Sequence, residues 1–200
     1  MQVPFDPSSL NPAQRDAVMH PGGPLMIFAG AGSGKTRVIT YRIARLIAEG
    51  VSPTRILAVT FTNKASREMR ERIESLVGGA ARSLWMGTFH SIGARLLRIH
   101  GEAIGLSREF VIYDDSDQLS LIREIIKSKN LDEKAIQPRA ALHEISRAKE
   151  ELKSPEEYAA HAAGYVERLV KEIYPAYQKA LAKANALDFD DILTQSVRLL

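Results

Sequence analysis

Short apolar runs and helical-period stretches alternate along the first half of the chain. Leu25-Met26-Ile27-Phe28, Ile56-Leu57-Ala58-Val59, Leu84-Trp85-Met86-Gly87 and Phe110-Val111-Ile112-Tyr113 are too brief for helices and predict buried strands. Helical spacing follows the first three. Val38, Ile39, Ile43, Leu46 and Ile47 precede a stop at Gly50, and Ala65, Met69, Ile73 and Leu76 precede Gly78-Gly79. Ile92, Leu96 and Ile99 form the third set. Alternation of this kind predicts an α/β architecture, a parallel sheet flanked by helices.

The pattern changes near residue 115. Helices are predicted around Leu119–Lys127, Pro138–Glu151, Pro155–His161 and Val166–Lys183, with no further strand through residue 185. Ser154-Pro155-Glu156-Glu157 has the form of a capping box, and Pro175 predicts a bend where it deletes the hydrogen bond to the Lys171 carbonyl. Leu187–Leu193 opens another helix, with Asp188 as cap. The organisation expected is an α/β lobe over 1–114, an all-helical insertion over 115–186, and a return to the lobe over 187–200. Asp114, Asp115 and Asp117 could suggest a metal, but capping of the helix that follows accounts for them more simply.

The stretch after the first apolar run carries the chemistry. Ala29-Gly30-Ala31-Gly32-Ser33-Gly34-Lys35-Thr36 joins a strand pattern to a helix pattern, the arrangement of a phosphate-binding P-loop. A triphosphate needs several backbone N–H donors converging on one concavity, and glycines keep side chains out of it. The helix start adds unpaired N–H groups and the positive end of a dipole. Lys35 is the candidate for the β- and γ-phosphates, and the Thr36 hydroxyl for Mg²⁺. The strict motif has Gly where this chain has Ala29.

Two more turns stand out. Thr60-Phe61-Thr62-Asn63-Lys64 and Thr88-Phe89-His90-Ser91 each put hydroxyls and an aromatic between a strand end and a helix, the edge where open parallel sheets bind ligands. Such groups suit a phosphate and a stacked base, and two such turns suggest one extended ligand. The helix after the first turn alternates Arg67, Glu68, Arg70, Glu71 and Arg72, so part of its charge is expected to pair with itself at i,i+4. Further upstream, Asn11-Pro12 reads as a helix start with Gln14 in its first turn. Gln14 is either an ordinary exposed helix residue or an amide placed to read adenine N6 and N7.

Composition adds bounds. The chain has 200 residues, 45% of them hydrophobic, enough for one core or one core and a satellite. It has no cysteine, which excludes disulfides and a Cys-built zinc site. No apolar run is long enough to span a bilayer, and MQVPFDPSSLNPAQ lacks the marks of a signal peptide; a cytoplasmic protein is expected. A net charge of +3 fits a polyanionic partner without requiring one.

Taken together, LNPAQRDAV, AGAGSGKTRVIT, LAVTFTNKASREMRERI, WMGTFHSIGARLLR, FVIYDDSDQ and ALDFDDIL resemble, in order and spacing, the UvrD/Rep/PcrA DNA helicases of superfamily 1. The resemblance covers essentially the whole chain. It implies a P-loop NTPase (RecA-like) lobe with a helical accessory subdomain. The implied activity is that of an ATP- and Mg²⁺-dependent motor moving 3′→5′ on single-stranded DNA and unwinding duplex at junctions, in repair or replication. Gln14 then matches an adenine-reading glutamine, Ala29–Thr36 the phosphate loop, and Arg37 a residue packing on adenine. Phe61, Thr62, Asn63 and Lys64 match one single-strand contact segment, and Thr88, Phe89 and His90 a second. The Asp188–Asp191 segment is recognisable, but its role is not, beyond capping.

The same resemblance implies acidic Mg²⁺-binding residues, a second lobe and strands flanking Leu25–Phe28, all beyond Leu200. No DEXX-type sequence occurs in the 200 residues. On their own they are therefore expected to bind nucleotide weakly, to hydrolyse it negligibly, and to expose Leu25–Phe28 as an apolar edge prone to self-association. A helicase–nuclease subunit of the RecB kind, and a P-loop kinase unrelated to DNA, remain as alternatives.

Overall fold

The computed structural model describes residues 5–132 and 135–200, which divide into two compact units, Met1–Ile92 and Gly93–Leu200. In the first, α1 (Pro12–Met19) opens on a capping box in which Asn11 accepts from the Gln14 backbone and Gln14 reaches back to the Asn11 N–H. The long helix α2 (Lys35–Ala48) follows the glycine loop and is closed by Gly50 at φ 92°, a conformation that side chains disfavour. Strand β1 (Leu57–Thr60) leads into α3 (Asn63–Val77), and β2 (Trp85–Thr88) leads into α4 (Phe89–His100), where the boundary between the units falls.

β1 and β2 pair in parallel, Leu57 opposite Trp85 and Thr60 opposite Thr88. Ala58 and Met86 on this ladder pack with Ile43 and Ala44 of α2 and with Met69, Ile73 and Val77 of α3. That is the αβ layering the pattern predicts, at a smaller scale.

One expectation fails. Leu25–Phe28 forms no strand; Met26 is 78% and Phe28 90% exposed. The run is apolar and unpaired, but a strand is buried by its ladder neighbours, and among the described residues none lies beside it. On the charged outer face of α3 the expected i,i+4 self-pairing is made by Lys64–Glu68, at 4.0 Å, and among the described residues Glu74 pairs with Arg82 at 3.9 Å.

In the second unit the Phe110–Tyr113 run shortens to β3 (Val111–Ile112). It pairs in parallel with β4 (Ala186–Leu187), a strand of two residues that periodicity cannot detect. The expected single sheet is thus two small parallel ladders. Between β3 and β4 run α5 (Asp115–Ser128), α6 (Pro138–Glu150), α7 (Pro155–His161) and α8 (Tyr165–Lys183), and α9 (Phe189–Leu199) follows β4. Ser154 forms its expected capping box, and Asp114 and Asp188, expected as caps, form boxes as well. Helix α8 continues through Pro175. Ile122, Ile126, Ile145, Val170, Ile173 and Tyr177 form the heart of this unit's core. Among the described residues no helix is long and apolar enough to cross a membrane.

Candidate functional site: the glycine loop and the aromatic turns

The loop before α2 is shaped by its own backbone. Gly32 and Gly34 have φ of 76° and 88°, the left-handed region where a Cβ is strained. A Cβ on Gly30 or Gly32 would meet no atom within 4 Å, so the concavity above them is open. The Ser33 N–H and hydroxyl both donate to the Gly30 carbonyl, at 3.3 and 2.7 Å, which tightens the turn. Ala31 is exposed at its tip and Ala29 half-buried at its base.

Lys35 is the first residue of α2, and its ammonium turns back into the loop. Nζ donates to the Ala29 carbonyl at 2.9 Å and to the Gly30 carbonyl at 2.8 Å. Two neutral acceptors hold a full charge there, so an anion entering the loop has a strong competing claim on it. The half-buried Thr36 follows on the helix, then Arg37, whose guanidinium lies 5.6 Å from the centre of the Tyr41 ring. These groups fit a triphosphate: an open glycine cradle, helix N–H groups and a cation held only by neutral acceptors. The described residues hold no cluster of three or more His, Asp or Glu placed for a metal. A divalent cation would take the Thr36 hydroxyl as a protein ligand and complete its shell from phosphate and water.

Gln14 is tied to this loop. Its Oε1 accepts from the Asn11 N–H at 3.2 Å, and its Nε2 donates to the Ser33 carbonyl at 3.0 Å. A primary amide has two lone pairs and two N–H hydrogens, so each bond uses half a capacity. One acceptor site and one N–H remain, the two kinds of group that a contact to adenine N6 and N7 needs. Gly34 permits the approach, since a Cβ there would come within 2.6 Å of Gln14 Nε2.

The parallel register sets the two aromatic turns beside each other. With Thr60 opposite Thr88, the next residues, Phe61 and Phe89, have ring centres 5.3 Å apart and planes inclined at 51°. Phe61 is 89% and Phe89 48% exposed, an unusual place for two large apolar rings. Asn63 and Lys64 are exposed beside them, and His90 is half-buried. Two of the candidate contacts have other work. The Thr62 hydroxyl caps α3 by accepting from the Ala65 N–H at 3.1 Å, and the buried Thr88 accepts from the Ser91 N–H at 3.2 Å.

A profile of the UvrD/REP helicase N-terminal domain matches residues 10–200. The chain belongs to that family. It is similar to the ATP-dependent DNA helicase PcrA of Bacillus subtilis, at 52% identity over 96% of this chain. The same-named proteins of Staphylococcus aureus and Staphylococcus epidermidis are each 47% identical, over 95% and 96% of it. The chain spans 26% of the length of each of these relatives. Membership carries a P-loop NTPase-like α/β fold, here realised mostly in helices with small parallel ladders.

The second unit of this UvrD-family chain holds a constellation that the sequence reading missed. Lys149 of α6 is 2% exposed, and its ammonium lies 2.6 Å from Asp188 and 2.8 Å from Asp191. The Tyr177 hydroxyl donates to Asp188 at 2.9 Å, and Gln178 donates to Asp191 at 3.1 Å. Burial raises the Asp191 pKa, the nearby Lys149 ammonium opposing it, and burial pushes the Tyr177 hydroxyl upward as well. A signal was present: Ala141, Ile145 and Ala148 define an inward face, and Lys149 lies one turn after Ile145 on it.

Proposed function

We propose that this chain is the nucleotide-binding segment of an ATP-dependent DNA helicase that moves 3′→5′ on single-stranded DNA and unwinds duplex at junctions. Its task is in repair or replication, and its place is the cytoplasm. The observation that carries the reading is the exposed Phe61–Phe89 pair, at the carboxyl ends of two parallel strands in the unit that also holds the glycine loop. Aromatic faces stack on any base, so they suit a motor that must not read sequence. The names of the similar proteins support the same reading.

In this account Lys35 leaves the Ala29 and Gly30 carbonyls for the β- and γ-phosphates of ATP, and Ala29–Gly34 presents backbone N–H groups to them. The outward N–H and lone pair of Gln14 receive adenine, while Arg37 packs on it. Mg²⁺ at Thr36 would neutralise charge on the phosphates. Phe61, Asn63, Lys64, Phe89 and His90 form the surface for the single strand, with Thr62 and Thr88 fixing its shape as caps. Residues 1–114 and 187–200 belong to the first lobe, and 115–186 to a helical accessory subdomain. The 200 residues alone hold no DEXX pair and are expected to turn ATP over negligibly.

Equilibrium binding tests both halves. Lys35→Ala should abolish binding of a non-hydrolysable ATP analogue and spare that of a labelled oligo(dT). Phe61→Ala should weaken the oligonucleotide by about 1–3 kcal/mol, the worth of one stacked base, and spare the nucleotide. Wild-type chain that binds the analogue but no oligo(dT) would refute the motor reading.

A further inference from the structure

Helix α1 has eight residues and buries only Val18, too little for it to hold its own place. Its position is imposed from α2. At the loop end, Gln14 donates to the Ser33 carbonyl. At the other end, where no basic residue of α1 sits in the last turn, the helix's unpaired carbonyls are taken by two arginines of α2. Arg42 Nη1 donates to the carbonyls of Ala17 and His20, each at 3.0 Å, and lies 3.4 Å from that of Val18. Arg45 Nη1 donates to Val18 at 2.6 Å and to His20 at 3.1 Å, while its Nε pairs with Glu49 at 2.8 Å. Arg45 is 6% exposed, and the two arginines, three residues apart, share one face of α2.

We propose that Arg42 and Arg45 are positioning residues for adenine recognition: by fixing the carboxyl end of α1 to the helix that bears the phosphate loop, they set the height and angle of Gln14 above that loop. The proposal rests on Gln14 as the adenine contact. Gln14 lies about one turn from the anchored carbonyls, so a small tilt of α1 moves its amide while leaving Ala29–Thr36 where they are. Two guanidiniums on one helix end resist that tilt better than one cation, because each holds its Nη1 among two or three carbonyls in fixed geometry.

The consequence separates base from phosphate. Competition for a fluorescent ATP analogue on the 200-residue chain would compare ATP, GTP and inorganic tripolyphosphate. Arg42→Ala should weaken ATP about tenfold, the scale of one bidentate base contact, and leave GTP and tripolyphosphate unchanged. Arg42→Lys, which keeps the charge but not the rigid planar guanidinium, should fall between. Arg45→Met, at a buried position, is the second variant; Arg42→Ala, half-buried, stands even if Arg45→Met does not fold. Equal weakening of all three ligands would mean that the arginines only stabilise the unit, and would overturn the proposal. Unchanged ATP affinity would overturn it too. Gln14→Ala distinguishes the two layers. If it leaves the ATP-to-GTP ratio untouched, the adenine reading fails and the proposal with it; if it collapses the ratio while Arg42→Ala does not, the proposal alone fails.

Discussion

The two units spend their apolar and polar groups differently. Gly93–Leu200 closes a core around Ile122, Ile173, Tyr174 and Tyr177, and even its most deeply buried cation, Lys149, is matched by two carboxylates. Met1–Ile92 has a smaller core over one two-stranded ladder and leaves Met26, Phe28 and Phe61 largely in water. Its Lys35 is held by carbonyls of a loop instead of by a carboxylate. A charge neutralised inside the fold contributes to rigidity. A charge held only by neutral acceptors in an open loop, as Lys35 is, stays available to a ligand. The contrast teaches where to look for stability and where for binding.

The largest effect should come from breaking the matched charge. Lys149→Ala leaves Asp188 and Asp191 buried without a counter-ion, and the loss should be about 3–5 kcal/mol in urea denaturation. A drop under about 1 kcal/mol would show that water reaches the pair and that the second unit is not closed there. Tyr177→Phe is a finer cut. It removes a hydroxyl donated to a carboxyl oxygen of Asp188 and keeps the ring, so about 1.5–3 kcal/mol is expected. Since its hydroxyl keeps its proton far above neutrality, the effect should not vary between pH 6 and 9.

Which of these features could be read from the chain depended on how far apart the partners lie. The caps at Asn11, Asp114 and Asp188 and the box at Ser154 are local patterns of four residues and were legible, as was α7, whose ends at Pro155 and His161 fall where expected. The glycine loop was legible for the same reason. Lys149 and Asp188 are 39 residues apart, and no local pattern links them. Leu25–Phe28 shows the opposite failure. Its local pattern was read correctly as short and apolar, yet burial is conferred by neighbours, and a four-residue string does not contain them. Gln14 lay between the two cases: its place in the capping box was local, but its bond to Ser33 joins residues 19 apart.

The exposed run offers a smaller test. Phe28→Lys should change stability by no more than about 0.5 kcal/mol, because a ring 90% in water contributes little to folding. The same change should lower self-association in sedimentation of concentrated chain, by placing a charge on an apolar edge. A large loss of stability would mean that Phe28 is buried in solution, and the contrast between the units would narrow.

The smallest effect concerns acid. Asp114 accepts from the N–H groups of Ser116 and Asp117, at 2.8 and 3.0 Å, and from the Ser116 hydroxyl at 2.8 Å. These bonds, the one from the Asp117 backbone foremost, hold its pKa below the ordinary carboxylate value of 3.8. A depressed carboxylate contributes stability above its unfolded pKa and loses it as the pH falls through the folded one. Asp191 has the opposite sign. Its raised pKa means that ionisation is penalised, so its contribution is complete in acid and declines as the pH rises through the folded value. The two contributions occupy different ranges, that of Asp114 changing below the unfolded carboxylate value and that of Asp191 above it. Asp114→Asn keeps a capping oxygen but removes one titration, so the urea midpoint should fall less steeply between about pH 4 and pH 2 than in the wild type. An unchanged slope would show that the α5 cap is already open in acid, and that the acid sensitivity of the second unit arises at other groups.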